Sequence, residues 1–478
     1  MIGEALSRLR DHYPSLTEVH IVGIGGAGMS GIARVLHGWG LPVQGSDRRA
    51  SPVTAALQAE GIAVQVGHSP EHLGAADLVL ASSAVPDDNP ELAAARTRGV
   101  PVARRPEFLS ALTAGREVIA VSGAHGKTTV TGMLALTLLW ADLDPSYIVG
   151  GVMANLGTNA RAGSGPHFLI EADEYRHTFL ALAPSVAVVT NVEFDHPDCF
   201  RDLAHVQEAF GAFVHRIVRG GVLVACGDDG AARALAADHR AGGGRAVLYG
   251  LDPAGALAWR ARDLRPNRLG GVSFTVERDG APVSELALRI PGAFNAANAL
   301  AALAVASELG VEAAVAREAL EAFEGTARRF EILGEVGGVT VIDDYAHHPT
   351  QIRGVVAAAR RRYAPRRIVA VWEPHTFSRV RALCADFMQA FGDADRVVVL
   401  PIYAAREPDD GSLTAEDLAR QIEHPAVVLG AGSLEAAVEA LAASSRRGDV
   451  VLLMGAGNET IVGQRLLAAL AQGDERLV

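Results

Sequence analysis

The chain has 478 residues, more than one hydrophobic core usually serves, so two or three domains are expected. Its formal charge of −12 excludes broad nucleic-acid binding, which needs a basic field to displace counterions, and no window of about 18 residues is apolar enough to span a membrane. Cys199, Cys226 and Cys384 are too few and too widely spaced for a disulfide framework or a metal-ligand set, which fits a reducing, cytoplasmic setting.

Short β-branched runs alternate with Ala/Leu-rich stretches along the chain, the pattern of parallel α/β sheets. A first strand is predicted over 18–24 and a helix over 28–38, joined by GIGGAGMSG at 23–31. This turn satisfies G-x-G-x-x-G at Gly23, Gly25 and Gly28 and has Asp47 about 20 residues on. Amides bared at a helix start suit a diphosphate, so the pyrophosphate of a nucleotide is expected here. Taken alone, the loop fits NAD with Asp47 on a ribose, or a turn that merely packs helix on strand.

Further strands are predicted over 77–81 and 117–121, the second followed by SGAHGKTT at 122–129 and a helix over 130–140. The loop resembles a P-loop but is shorter than G-x-x-x-x-G-K-[ST], because Val121 stands five before Gly126. It still supplies backbone amides, the Lys127 ammonium for the β and γ phosphates and the Thr128 hydroxyl for Mg²⁺. Lys127 is the only lysine in the chain, every other Lys/Arg position being arginine. Strands over 167–171 and 186–191 end in EADE (171–174) and TNVEFDHPD (190–198), offering Glu171, Asn191, Asp195 and His196 at one sheet edge.

Period-2 alternation over 270–290 with Asp279-Gly280 predicts a small antiparallel hairpin, and the Gly-rich stretch 241–245 reads as a surface loop. A last group of strands is predicted over 339–343, 367–372, 396–400 and 449–454. Two of them end in DDYAHHP (343–349) and EPHTFSR (373–379), bringing Tyr345, His347, His348, His375 and Arg379 to one edge. Arg379 is suited to receive a carboxylate through its planar fork. Boundaries near 112–116 and 325–330 divide the chain into three α/β domains, 1–113, 114–326 and 327–478.

Together these segments, with GSD (45–47), EADEYR (171–176), ARRFE (327–331) and MGAGN (454–458), resemble the Mur ligase family over nearly the whole chain. The resemblance implies an N-terminal Rossmann-like domain holding UDP-N-acetylmuramate, a central P-loop-type ATPase and a mobile C-terminal Rossmann-like domain bringing the amino acid. It assigns the UDP-sugar to Gly25, Gly26, Ala27, Gly28, Met29, Ser30, Ser46, Asp47, Ser82 and Ser83, displacing NAD. ATP falls to Gly123, Ala124, His125, Gly126, Lys127, Thr128, Thr129, Asn295, Arg328 and Asp344, and Mg²⁺ to Thr128, Glu171 and His196. The amino acid falls to Tyr345, His347 and Arg379, and catalysis to Lys127, Glu171, His196, His347 and Arg379. The implied reaction is ATP-dependent amide formation through an acyl phosphate, in peptidoglycan precursor synthesis. Later ligases of the family usually need a carbamoylated lysine, and no second lysine exists here, so L-alanine is the implied amino acid. A recycling ligase that adds a preformed peptide to the same sugar is the alternative, and an NAD-dependent oxidoreductase a remote one. A monomer or homodimer is expected. The chain departs from the pattern of many members in three places: Phe294 stands where relatives often have a His before Asn295, the stretch 374–379 has Thr376 and keeps only Arg379 where many carry two arginines, and EADEYR replaces the EADESD of many members.

Overall fold

The computed structural model describes residues 2–409, 411–424 and 428–474 and builds three separate sheets. In the first, five parallel strands run in the order Ala63–Val66, Val43–Asp47, Val19–Val22, Leu78–Ala81, Val102–Arg104. The strand order reverses beside Val19–Val22, and the glycine turn lies at its carboxyl end, where open α/β sheets bind ligands. The helix after it runs Ala27–Gly38.

The second sheet has a parallel block in the order Arg245–Gly250, Val222–Cys226, Val186–Val189, Glu117–Ser122, His167–Glu171, Ser146–Ile148. Val186–Val189 is buried on every residue, as expected for a strand covered by helices on both faces. Glu117–Ser122 lies between Val186–Val189 and His167–Glu171, so SGAHGKTT, TNVEFDHPD and EADE leave three adjacent strand ends. The hairpin expected over 270–290 forms as Val272–Arg278 and Ala281–Ala287, with positive φ at Asp279 and Gly280. It is not a separate hairpin. A third strand, Trp259–Pro266, joins it to the main sheet.

The third sheet runs Glu331–Val336, Val339–Asp344, Val450–Met454, Ile368–Trp372, Arg396–Val399, Val428–Gly430, all parallel except the first. The first two sheets share a continuous apolar core: Trp39 meets Phe168 edge-on at 6.3 Å, and a Cβ on Gly31 would come within 2.6 Å of Ile148. The third domain keeps its own core, which Phe194 of the second domain borders. At the site described next, hydrogen bonds and an ion pair also cross that boundary. No helix among the described residues is long and apolar enough to cross a membrane, and all three cysteines are free.

Candidate functional site

The P-loop-like turn is held tightly by its neighbours. Gly123 and Gly126 have φ of +141° and +82°, and an added Cβ would come within 2.0 Å of Thr190 Oγ1 and 2.7 Å of Asn298 Oδ1, so only glycine fits. Ala124 N donates to Asn191 O at 3.2 Å and His125 N to Asn191 Oδ1 at 2.9 Å. Lys127 opens the helix Lys127–Trp140 and turns its ammonium back under the loop, donating to Gly123 O at 2.5 Å and to Glu174 at 2.8 and 3.1 Å. Burial works against this charge, but Glu174, Asp173 and Glu171 outweigh it and hold the lysine above its usual range. Thr128 and Thr129 lie buried in the first helical turn.

Glu171 accepts from Gly150 N at 2.8 Å and lies beside Thr128, and burial raises its carboxyl despite the Lys127 charge. A threonine hydroxyl next to a carboxylate is a hard-oxygen donor set of the kind Mg²⁺ takes. His196 is grouped with Asp173 and Glu174, its Nε2 lying 3.7 Å from Glu174. Glu174, absent from the expected set, is therefore the residue that links Lys127 to His196.

Asp195 was legible as a strand-end carboxylate, yet its role becomes visible only in the assembled chain. It is buried and accepts from Arg379 Nε at 2.6 Å and from His196 N at 2.7 Å, while His347 Nε2 lies 3.7 Å away. Burial opposes its charge, but Arg379 foremost, with His196, holds it well below the usual carboxylate range. Arg379 also donates to His375 Nδ1 at 2.7 Å. The carboxylate at its planar fork is here that of Asp195, and the buried guanidinium joins two domains. His347 Nδ1 donates to Tyr345 O at 2.8 Å, and burial and the Arg379 charge bring the ring down to about 3, so it is neutral.

Other cross-domain bonds surround this pair. Thr350 Oγ1 donates to Glu193 at 2.7 Å, and His348 Nε2 to Phe194 O at 3.2 Å. Gln351 Oε1 accepts from His347 N at 2.9 Å, leaving its amide NH₂ to donate to His125 Nδ1 at 2.9 Å. His125 then carries its proton on Nε2, 3.5 Å from Glu193, so the P-loop side chain reads the position of the third domain.

Three expected ATP contacts are engaged elsewhere. Asp344 accepts from Phe330 N and Ala346 N, both at 2.8 Å, and burial raises it to about 6. Arg328 pairs with Glu459 and lies over the Tyr345 ring at 4.9 Å. Asn295 donates to Pro291 O at 2.7 Å and accepts from Asn298 at 3.0 Å. In this structure these residues serve internal bonds. Phe294, at the position of the expected His, is 39% exposed.

At the first glycine loop, Asp47 accepts from Gly25 N at 2.9 Å, fixing the turn. Ser30 and Ser46 are buried, and Ser46 Oγ donates to Glu91 at 2.6 Å. Gly26 closes on Gly23 O at 3.2 Å, Asn159 binds Ala27 O at 3.0 Å, and Met29 is in the core. Gly28 lies against Arg105, which reaches to within 3.9 Å of Asp173. Ser82 O accepts from Arg104 at 3.1 Å and Ser83 O from Arg176 at 3.0 Å. The loop thus stands next to the acidic strand end of the second domain.

Known proteins resemble this chain over most of its length. The chain matches three family models in succession: "Mur ligase family, catalytic domain" over 18–117, "Mur ligase middle domain" over 121–306 and "Mur ligase, glutamate ligase domain" over 328–457. It is 46% identical to the UDP-N-acetylmuramate–L-alanine ligase of Kineococcus radiotolerans, covering 97% of this chain and 98% of that one. The enzyme of the same description from Frankia casuarinae is 45% identical, over 95% and 97% of the two chains. Among solved structures, a UDP-N-acetylmuramate-alanine ligase from Thermotoga maritima superposes with a TM-score of 0.79 at 30% identity, covering 95% of this chain and 99% of that one. A murein peptide ligase from Psychrobacter arcticus gives 0.71 at 27% identity, with the same coverage.

Proposed function

The chain belongs to the Mur ligase family, and from that premise we propose that it joins L-alanine to the lactyl carboxylate of UDP-N-acetylmuramate at the expense of ATP. One observation carries the reading: the only lysine sits where three strand ends meet, held by Glu174 beside His196, and Arg379 of the third domain reaches the same group of strand ends at Asp195. Relatives 45 and 46% identical are named for alanine addition, and among solved structures the alanine ligase superposes better, with a TM-score of 0.79 against 0.71 for the murein peptide ligase, which favours alanine over a preformed peptide.

In the reaction a sugar carboxylate oxygen attacks the γ-phosphorus and ADP departs; the amine then attacks the acyl carbon and phosphate leaves. Lys127 would exchange its hold on Glu174 for the β and γ oxygens, spreading the charge that is transferred. Thr128 and Glu171 would hold Mg²⁺, which supplies further charge neutralisation at the phosphates. His196, beside Glu174, would face the sugar carboxylate. His347 is neutral with Nε2 unprotonated, so it can orient the incoming amine by accepting its hydrogen bond. Arg379 can receive the amino-acid carboxylate only if Asp195 yields part of the guanidinium. The first domain would place the UDP-sugar over Gly25–Ser30, and the loop bonds of His125 with Gln351 would close the P-loop once the third domain docks. We place the enzyme in the cytoplasm, where its nucleotide substrates are.

The test is product formation by the purified chain with UDP-N-acetylmuramate, ATP and Mg²⁺, against L-alanine, glycine, L-serine and a tripeptide. Phosphate release that needs both the sugar and L-alanine supports the reading. Preference for the tripeptide would replace it with the recycling activity.

A further inference from the structure

The segment EADEYR places Tyr175 and Arg176 just after the acidic strand end, and nothing in the reaction so far uses either residue. The Tyr175 hydroxyl donates to Asp198 Oδ2 at 2.8 Å and accepts from Arg406 Nη2 at 3.0 Å. Two guanidinium groups lie over its ring, Arg406 at 5.5 Å and Arg176 at 5.6 Å from the centroid. The same ring lies 4.9 Å from the ring of His196.

These partners come from different domains. Arg406 follows the strand Arg396–Val399 of the third sheet. Arg176 extends the other way, donating to Ser83 O of the first domain at 3.0 Å. The backbone bends sharply to allow it, with φ of +51° at Arg176 and +56° at His177, a region non-glycine residues seldom adopt. Contacts on both sides hold the bend: Arg176 on Ser83, and His177 against the rings of Phe200 and His205 at 5.3 and 5.8 Å.

We propose that Tyr175 is the clasp joining the three domains in the closed arrangement and, through its ring, the residue that positions His196. It is a positioning residue and touches no reacting atom. Its hydroxyl and its ring have separate duties. The hydroxyl receives Arg406 and so favours the docked third domain, whereas the ring supports His196 whether or not that domain has docked. An isolated surface tyrosine would not show this division, since cation–π contacts at exposed sites are weak. The kinetic part of the proposal rests on the ligase reading above.

The experiment is a double-mutant cycle on Tyr175→Phe and Arg406→Ala, with Tyr175→Ala as a third variant. Each single variant of the cycle raises the L-alanine KM about threefold to tenfold with kcat little changed, and the double variant is no worse than either single one. Tyr175→Ala, which also removes the ring, lowers kcat by about tenfold further, comparable to loss of a well-placed active-site contact. Multiplying effects in the double variant, or a Tyr175→Phe enzyme identical to the parent, would overturn the clasp. Small-angle scattering of the parent, both singles and the double with UDP-N-acetylmuramate and a non-hydrolysable ATP analogue reads closure directly, with both singles and the double expanded equally relative to the parent. A parent without L-alanine-dependent turnover would refute the ligase reading, and the scattering cycle would still decide on the clasp.

Discussion

Replacing Lys127 by arginine preserves charge and fits the composition of a chain that otherwise uses arginine, so it isolates shape. The ammonium lies 2.5 Å from Gly123 O and 2.8 Å from Glu174, at the end of a thin stem folded under the loop. The loop that covers it is itself packed closely, because a single added carbon at Gly123 would already meet Thr190 at 2.0 Å. A planar guanidinium is broader than an ammonium and cannot touch two phosphate oxygens from that channel without moving the loop. Loss of a preorganised transition-state contact costs on the order of 10² to 10³ in turnover, about 2.7 to 4 kcal/mol, and that is the expected effect. Folding is expected to survive, since arginine can still pair with Glu174. The assay is the ligation rate and the thermal midpoint of Lys127→Arg beside the parent. A folded variant keeping more than about a third of parental turnover would refute the point-charge reasoning.

Glu171→Ala removes the carboxylate beside Thr128, so most activity is lost at ordinary Mg²⁺ while calorimetric UDP-N-acetylmuramate binding stays near the parent's; normal turnover would take Glu171 out of the site. Asp195→Asn weakens the hold on Arg379 and frees the guanidinium for substrate, so the L-alanine KM falls while turnover drops; an unchanged KM would mean the amino-acid carboxylate does not meet Arg379. Burial raises Glu373 to about 7 from its usual 4.5, so between these values the folded chain keeps a proton that the unfolded chain has lost. That contribution is full below pH 4.5 and is lost as pH rises through 7. Glu373→Gln, fixed in the neutral form, therefore melts above the parent by a margin that widens from pH 5 to 7.5, and a constant margin would contradict the assignment.

How much of this the sequence foretold depends on range. SGAHGKTT and GIGGAGMSG are local devices, a strand, bare amides and a helix start, and both fold where their spacing places them. Valine runs such as Val186–Val189 declare themselves because a buried parallel strand has no polar face. Val43–Asp47 was not foreseen: its Gln44, Gly45 and Ser46 carry no β-branched signal, and pairing with Val19–Val22 is what makes it a strand. The site follows the same rule. Residue types at strand ends were readable, but the partner of Lys127 is 47 residues away and that of Arg379 is 184 away. Asp344, Arg328 and Asn295 could equally serve a ligand or a neighbouring backbone group, and only the fold decides between these uses. Tyr175 was readable as part of EADEYR without any sign of what it touches.

The solitary lysine also makes the chain an unusual proteolytic substrate. An endoproteinase that cuts only after lysine has a single scissile bond in all 478 residues, the one between Lys127 and Thr128. That bond lies in the first turn of a helix, with the lysine side chain turned inward and Thr128 buried, where no protease cleft can engage it. Cleavage into two fragments therefore reports one event, the local opening of the phosphate loop, free of background from other sites. Nucleotide that occupies the loop should slow that cut in proportion to its binding, so a gel showing two bands measures occupancy of the ATP site with no label and no coupled enzyme.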